Sequence, residues 1–372
     1  MQSKRIPQEI IDTVKSWLRG RTAEVVVGGQ RSDYMQLRNQ VFQGTVWGPA
    51  LWNLFYEDSN AAIVEAGFEE VKYADDLNAF KEFNAMVDDT KIMDAMDECQ
   101  RNLHEWGEAN QVVFDATKEG KRILSRSRSV GDPFTLLGID FDCKLIMDKA
   151  IDALLGKCRW KLRMLIRSQR HFDAKNLVSL YKSRMLGYIE YRTAAIYHAS
   201  DSLLAPVDEI QTRFLRHLGI SEEEALMKFN LTPLCTRRDM AMLGLIHRTV
   251  IGKGCPHFKR FFREEENASR IRGGGLRHGR QLVEYRDGDA SDFMCPNSRP
   301  AEYIARSALG LTSIYNMLPP DVVARSSVKE FQRGLQDMVK EAMTAGVGRW
   351  QWLLSPRGAL WNHPLRRLRE GG

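Results

Sequence analysis

The hydrophobic pattern of this chain changes once along its length, near Lys149, and that change limits the folds open to it. Before this point short apolar runs alternate with stretches of helical period, which predicts helices mixed with small antiparallel strand pairs. From Lys149 to His217 the apolar residues recur at three- and four-residue steps, which predicts helices alone. We therefore predict an α+β fold in which a mixed part is followed by a helical part.

Local signals predict the individual elements. Pro7, with apolar residues at helical spacing behind it, predicts an amphipathic helix, because proline suits the first turn of a helix. Asp75 and Asp76 separate two extended runs whose lengths suit a β-hairpin. The expected elements are a helix after Pro7, an extended pair around residues 25–42, a hairpin over 68–80, a strand pair near 136–146, and helices over 49–67, 85–110, 234–249 and 327–345.

Composition excludes several classes of protein. The 372 residues are 43% hydrophobic and 27% charged, which are ordinary values for a globular protein. No apolar run approaches the roughly 18 residues that a membrane-crossing helix needs, so no membrane partner is expected. Residues 1–7 open no apolar stretch of the secretory kind, which favours an intracellular location. The six cysteines form no C-x-x-C pair, which argues against a disulfide framework or a zinc ribbon.

The formal net charge of +6 combines two regions of opposite sign. Residues 57–119 hold 17 acidic and 5 basic side chains, whereas residues 157–192 hold 10 basic and 2 acidic ones. Basic side chains that alternate with Trp160, Phe172 and Tyr181 on helices are suited to neutralise nucleic-acid phosphates. Charge alone does not separate this interpretation from a solvated helix face.

Two short motifs carry candidate chemistry. Asp75 and Asp76 stand in the order Tyr-Ala-Asp-Asp at the tip of the predicted hairpin. An acidic pair by itself is typical of a solvated turn. Upstream, residues 43–49 have the sequence Gln-Gly-Thr-Val-Trp-Gly-Pro, which brings two glycines to the start of a helix, where backbone approaches a ligand closely.

These two motifs, in this order and followed by Lys118 and by Leu137-Gly138, resemble the palm of a reverse transcriptase. The similarity is closest to retrotransposons without long terminal repeats, in which an asparagine, here Asn53, stands between the glycine motif and the aspartate pair. Further stretches resemble the thumb and the region after it: Leu180-Tyr181-Lys182, Ile189-Glu190-Tyr191, Gln211 to Arg216, Leu234 with Arg237-Arg238, and Tyr315 to Pro319. The resemblance covers nearly the whole chain.

The resemblance implies an order of domains. It predicts an incomplete palm, an antiparallel sheet with helices, over residues 1–148. A helical thumb is expected over 149–219. A mostly helical C-terminal region is expected over 220–372, with a loop near 264–300.

The resemblance also implies roles for single residues. Asp75 and Asp76 would hold Mg²⁺, or Mn²⁺, during nucleotide addition, and carboxylate oxygens are ligands that Mg²⁺ prefers. Lys118 would act on the departing pyrophosphate. The implied partners are an RNA template, a DNA primer and deoxynucleoside triphosphates. The other implied residues are Gln43, Gly44 and Asn53 for template and nucleotide, Leu137 and Gly138 for the primer grip, and Lys157, Arg159, Lys161, Arg163, Arg167, Lys182 and Arg184 for nucleic acid on the thumb.

One part of the implied metal site has no counterpart in the sequence. Neighbouring side chains of an extended chain point to opposite faces, so Asp75 and Asp76 need a further carboxylate from another strand. In this family it comes from a strand before the helix that here follows Pro7, and neither Asp12 nor Asp33 has the expected neighbours. We therefore expect the carboxy-terminal part of a reverse transcriptase, without the first catalytic aspartate strand and the fingers, and inactive alone.

Two other functions stay open. A non-catalytic nucleic-acid-binding relic of a retrotransposon would keep the basic helices without polymerase chemistry. A metal-binding tail that uses Cys255, His257, His278 and Cys295 is disfavoured, because the spacing of these residues fits no compact zinc pattern.

Overall fold

A computed structural model of the chain describes residues 1–37, 44–264, 278–284, 300–358 and 362–365. The chain divides into two compact units, Met1–Lys121 and Arg122–Gly372. Among the described residues, helices are combined with antiparallel sheets of two strands each, which confirms the α+β class. Each of the described helices is too short or too polar to cross a membrane. The division into palm, thumb and C-terminal region stays a prediction.

The first unit combines four helices with three β-hairpins or strand pairs among its described residues. The strands β1 and β4 pair around the shorter hairpin β2–β3, so the extended pair expected near residues 25–42 is a nested one. The elements are α1 (Gln8–Leu18), β1 (Thr22–Ala23), β2 (Val26–Val27), β3 (Gln30–Arg31), β4 (Met35–Gln36), α2 (Gly48–Tyr56), α3 (Ser59–Glu65), β5 (Glu69–Tyr73), β6 (Asp76–Phe80) and α4 (Asp89–Asn110).

The helix expected over residues 49–67 is broken into α2 and α3, and the carbonyl of Tyr56 explains the break. This oxygen accepts a hydrogen bond from Lys72 Nζ at 2.7 Å and another from Ser59 Oγ at 2.9 Å. The amide of Asn60, which would continue the helix onto Tyr56, instead donates to Glu57 O at 3.2 Å. The Tyr56 carbonyl therefore bonds the side chains of Lys72 and Ser59 in place of the amide of Asn60, and α2 ends at this point.

The core of the first unit lies where α3, α4 and the β5–β6 hairpin meet. Ile63, Phe68 and Cys99 are buried there, and Leu77 and Leu103 pack against them. Leu77 occupies the face of the hairpin that points to the helices, whereas Val71 and Tyr73 lie on the opposite, exposed face. The hairpin predicted from the sequence therefore has one packed face and one solvated face.

The second unit begins with one strand pair and continues in helices, as the change of pattern near Lys149 predicts. A π-helical segment, Lys182–Leu186, joins two of the helices. The elements are β7 (Phe134–Leu136), β8 (Ile139–Phe141), α5 (Asp148–Arg167), α6 (Ala174–Tyr181), α7 (Gly187–Glu190), α8 (Thr193–Ile196), α9 (Asp201–Leu218), α10 (Glu222–Phe229), α11 (Leu234–Val250), α12 (Pro300–Arg306), α13 (Leu311–Met317), α14 (Pro320–Val323) and α15 (Val328–Thr344).

Two apolar clusters form the core of the second unit. In the first, α5, α6 and α9 pack together, and the rings of Tyr181 and Phe214 stack with centroids 4.5 Å apart. In the second, α11, α13 and α15 surround His247, whose ring stacks on Phe331 at 4.0 Å. Both ring nitrogens of His247 have partners, Tyr315 Oη and Arg325 O at 3.0 Å each, so this histidine is a satisfied core residue.

A buried ion pair joins α9 and α11. Both terminal nitrogens of Arg238 donate to the carboxylate of Asp208, at 2.6 and 2.8 Å. The neighbouring Asp239 accepts a hydrogen bond from Tyr197 Oη at 2.7 Å, and its burial raises its pKa to about 7. The Arg238 side chain is only 7% exposed, so its charge depends on Asp208 for compensation.

Replacing Asp208 with asparagine is expected to lower the free energy of unfolding by about 3 kcal/mol, because a buried guanidinium loses its counter-charge. Chemical denaturation followed by circular dichroism measures the loss. Glu209→Gln is the matched control, since Glu209 contacts Arg216 at 3.5 Å with both side chains largely in solvent. That control is expected to cost less than about 0.5 kcal/mol. Equal losses in the two variants would contradict a special role for burial.

Candidate functional site

The acidic pair lies at the tip of the β5–β6 hairpin, as the sequence predicts. Tyr73 pairs with Asp76, so Ala74 and Asp75 form the two-residue turn between them. Ala74 has a φ of 55°, in the left-handed region that favours glycine and two-residue hairpin turns. Asp75 and Asp76 are both exposed. The turn therefore presents both carboxylates to solvent.

The glycine motif leads into α2. Gly44 has a φ of 89°, which only glycine adopts at little cost, and Thr45 follows it. The hydroxyl of Thr45 accepts a hydrogen bond from the backbone N–H of Gly48 at 3.1 Å, which satisfies one of the open donors at the start of α2. Asn53 lies exposed on the same helix. Gln43 lies outside the described residues.

Trp52 connects the glycine motif to the acidic turn, a role that the sequence analysis did not predict. Its indole Nε1 donates a hydrogen bond to the carbonyl of Ala74 at 2.8 Å. The Trp52 ring packs against Tyr56 with centroids 5.1 Å apart, and Tyr56 packs in turn against Trp106 of α4 at 5.7 Å. The two motifs are thus adjacent in space. The signal in the sequence is an indole donor one helical turn after Gly48.

A lysine on β5 makes a second connection between the hairpin and α2. Besides the bond to the Tyr56 carbonyl, Lys72 Nζ lies 2.9 Å from Glu70 and 5.0 Å from the centre of the Tyr56 ring. Burial raises the pKa of Tyr56, and the negative charges of Glu70 and Asp75 raise it further. Asp75 therefore lies close enough to α2 for its charge to act on the Tyr56 hydroxyl.

The donors at this turn suit a divalent cation in kind but do not complete a site. Asp75 and Asp76 offer hard carboxylate oxygens, which Mg²⁺ prefers. Among the described residues, however, no group of three or more acidic, histidine or cysteine side chains lies in a metal-binding arrangement. Two carboxylates alone do not hold a pair of ions. Neither Cys255 nor His278 belongs to such a group, and Cys295 lies outside the described residues.

Lys118 lies in a turn of the first unit that begins at Asp115. The Asp115 carboxylate accepts hydrogen bonds from the Thr117 hydroxyl and amide at 2.7 and 3.0 Å, and these bonds lower its pKa. Lys118 Nζ lies 3.7 Å from the same carboxylate, and its side chain is 83% exposed. The next residue, Glu119, contacts His104 of α4 at 3.0 Å. The turn is therefore tied to α4, while the lysine extends into solvent.

In the second unit, Leu137 and Gly138 form the two-residue turn of the β7–β8 hairpin. Their φ angles are 49° and 74°, both positive, as a type I′ turn requires. The carbonyl of Leu137 accepts a hydrogen bond from the hydroxyl of Tyr191 at 2.7 Å. Tyr191, the residue that follows α7, therefore holds the predicted primer-grip turn in place, a contact that local sequence patterns do not indicate.

The basic residues predicted for the thumb fall into two groups. Those of the first group are exposed, and four of them share the outer face of α5 with Trp160 and Met164, which are 57% and 49% exposed. Those of the second group donate to backbone carbonyls: Lys161 to Arg184 O at 3.4 Å, and Lys182 to Phe229 O. Burial lowers the pKa of Lys182. The exposed group consists of Lys157, Arg159, Arg163, Arg167 and Arg184.

Comparison with known proteins identifies relatives of the chain. It is 26% identical over 237 residues to an RNA-directed DNA polymerase from the mobile element jockey of Drosophila melanogaster, an alignment that covers 59% of this chain and 26% of the relative. It is 24% identical over 232 residues to the enzyme of the same name from Drosophila funebris, with 57% and 25% covered. The chain is a reverse-transcriptase-related protein.

This reverse-transcriptase-related chain spans about a quarter of the length of the curated relatives it matches. No family model matches it, and no solved structure matches it. The relatives confirm the resemblance to non-long-terminal-repeat reverse transcriptases that the motifs indicate.

In this reverse-transcriptase-related protein, replacing Trp52 with phenylalanine is expected to loosen the acidic turn. The change removes the donor to Ala74 O but keeps an aromatic ring, so a net loss of about 1 kcal/mol is expected locally. Amide hydrogen exchange of residues 73–77 should accelerate by about five-fold. Trp47→Phe is the matched control, because the exposed Trp47 lies beside the same helix. Unchanged exchange in Trp52→Phe would show that the hydrogen bond does not hold the turn.

Proposed function

We propose that this chain is part of an RNA-directed DNA polymerase and contains part of its palm and its thumb. The complete protein would add deoxynucleotides to a DNA primer along an RNA template. The observation that carries the proposal is the bond from Trp52 to Ala74, which brings the helix of the glycine motif against the acidic turn. The two relatives, both RNA-directed DNA polymerases by name, support the same function.

Under this proposal the predicted residues of the first unit have separate roles in binding the template, the incoming nucleotide, the pyrophosphate and the metal ions. Gln43, Gly44 and Asn53 would contact template and incoming nucleotide. The positive φ of Gly44 favours glycine, and because glycine has no side chain, the backbone is accessible there. Lys118, extended into solvent, would meet the charge of the departing pyrophosphate. Asp75 and Asp76 would bind Mg²⁺ or Mn²⁺, which in a polymerase neutralises charge on the transferring phosphate.

The residues of the second unit would contact the nucleic acid. Leu137 and Gly138, in a turn fixed by Tyr191, would touch the primer strand. The exposed basic residues of α5 and Arg184 would contact phosphates, and Trp160 on the same face offers a flat apolar surface to the sugars or bases. Lys161 and Lys182 would contribute less, since both side chains are half-buried whereas the other predicted thumb cations are exposed.

The divalent-cation part of the proposal can be tested with Mn²⁺ as a paramagnetic probe. In NMR spectra of the chain, Mn²⁺ is expected to broaden the amide signals of residues 74–77 first, and Asp75→Asn is expected to abolish this selectivity. Asp88→Asn is the matched control, because Asp88 and Asp89 form another adjacent acidic pair in the same unit. Equal broadening at both pairs would mean that Mn²⁺ is attracted to any pair of acidic side chains, and would count against a specific site at the turn.

Primer extension tests the activity of the chain by itself. With an RNA template, a DNA primer and either Mg²⁺ or Mn²⁺, residues 1–372 are expected to give no product above that of Asp75→Asn, because no third metal ligand among the described residues joins Asp75 and Asp76 in a metal-binding group. Synthesis that depends on Asp75 would refute the inactivity of the isolated chain and would strengthen the polymerase assignment.

The second candidate function is nucleic-acid binding without catalysis. It is favoured by the incomplete carboxylate set together with the exposed basic face of α5. The two candidates differ at the acidic turn: the polymerase proposal requires selective Mn²⁺ binding there, whereas a relic needs only the basic helices.

A further inference from the structure

Three basic side chains donate to carbonyls of residues 321–326, at the end of α14 and the start of its connection to α15, and a fourth donates to the carbonyl of one of the three. Arg248 and Lys253 come from the last turn of α11 and the residues behind it. Arg280 comes from the described segment 278–284, and Arg325 from the connection itself. We refer to Arg248, Lys253, Arg280 and Arg325 as the C-terminal basic patch.

Backbone carbonyls hold the four cations in place. Three of the four accepting oxygens belong to residues 321–326, so the positions of the cations depend on one short piece of chain. The connection is itself fixed, because the carbonyl of Arg325 is bonded to the buried His247. The hydrogen bonds are Arg248 Nε to Lys253 O at 2.9 Å, Lys253 Nζ to Ser326 O at 3.3 Å, Arg280 Nη1 to Val323 O at 2.8 Å and Arg325 Nε to Asp321 O at 3.1 Å.

A carbonyl positions a cation without cancelling its charge. Within the part of the chain that the structure describes, no member of the patch forms an ion pair with a carboxylate. Other surface cations of the same unit do: Arg216 contacts Glu209, and Lys228 contacts Glu224 at 2.8 Å. In the segment that carries Arg248 and Lys253, residues 240–263 hold five basic and no acidic side chains, and Glu264 follows directly. The carbonyl bonds therefore leave the formal positive charges of the four side chains in place.

The surroundings of the patch favour phosphate as its ligand. Arg248, Lys253 and Arg325 are exposed, so N–H donors that are not bonded to the backbone face solvent. No aromatic side chain is exposed among residues 240–264, 278–284 and 321–326, so these described segments offer no ring on which a base would stack. The same segments also expose no large apolar side chain, which disfavours insertion into a lipid surface.

We propose that the C-terminal basic patch binds the sugar–phosphate backbone of nucleic acid without preference for sequence, as a second contact besides the basic face of α5. The proposal rests on the nucleic-acid-binding part of the proposed function and not on polymerase chemistry. Contacts to phosphate alone carry no sequence information, so RNA strands of different sequence should bind equally.

The test compares two double variants of the full chain by fluorescence anisotropy with a single-stranded RNA. Lys253→Gln/Arg325→Gln removes two unpaired cations of the patch. Arg216→Gln/Lys228→Gln removes one arginine and one lysine that contact carboxylates. The patch variant is expected to bind about ten-fold more weakly and to show a salt slope shallower by about 1.4, the value for two lost phosphate contacts. The control variant is expected to change affinity by less than about two-fold.

A third variant separates this inference from the proposed role of the thumb. Arg159→Gln/Arg163→Gln/Arg167→Gln removes cations from α5; if it binds like the unmodified chain, the thumb assignment fails while the patch stands. If Lys253→Gln/Arg325→Gln binds RNA like its control, the patch inference fails whatever the thumb variant does. Binding of phosphatidylserine vesicles that weakens more than RNA binding in the patch variant would also overturn it.

Unchanged thermal unfolding of the variants confirms that the fold is kept, and Arg248→Gln provides an independent substitution.

Discussion

The first unit depends on one carbonyl group, that of Ala74. An isolated two-stranded hairpin is marginally stable in water, so β5–β6 needs a partner to keep its tip in place. The indole of Trp52 supplies it by a hydrogen bond at the tip, and Lys72 adds a bond from the strand to the end of α2. Because these bonds join the two regions that resemble a polymerase palm, the whole assignment of the candidate site depends on them.

The second unit is held together differently, by polar groups placed inside an apolar core. Arg238 and Asp208 join two long helices, and the buried Gln211 donates to Thr232 O at 3.0 Å. Arg357, near the end of the chain, donates to the carbonyls of Tyr197 and Ala199 and contacts Asp201. These bonds have specific geometry, so they fix the register of the helices as well as adding stability. An apolar core alone would tolerate more sliding between helices.

Local patterns in the sequence predict a helix or a hairpin well where the interactions that determine it lie within the element itself. Pro7 stands directly before α1, and the predicted helices at 234–249 and 327–345 agree closely with α11 and α15. The two extended runs on either side of Asp75 and Asp76 predict a hairpin, and its observed turn is Ala74–Asp75. In each of these cases a cap, a period or a turn residue lies within the element itself.

The contacts that build the candidate sites could not be predicted in this way. The break after Tyr56 is caused by Lys72, sixteen residues away, and Trp52 finds its acceptor twenty-two residues downstream. The contact of the Lys182 amine with the carbonyl of Phe229 is likewise not indicated by any local pattern, and its role at nucleic acid stays a prediction. A helical period indicates which face of a helix is polar. It does not indicate whether a lysine amine on that face will donate a hydrogen bond to a carbonyl of a neighbouring element.

The exposed face and edges of β5–β6 have a consequence for assembly. Among the described residues the sheet has only these two strands, so each retains an outer row of backbone donors and acceptors. Val71 and Tyr73, 49% and 66% exposed, cover the outward face beside that row. A third extended segment that docked laterally at such an edge would enlarge the sheet.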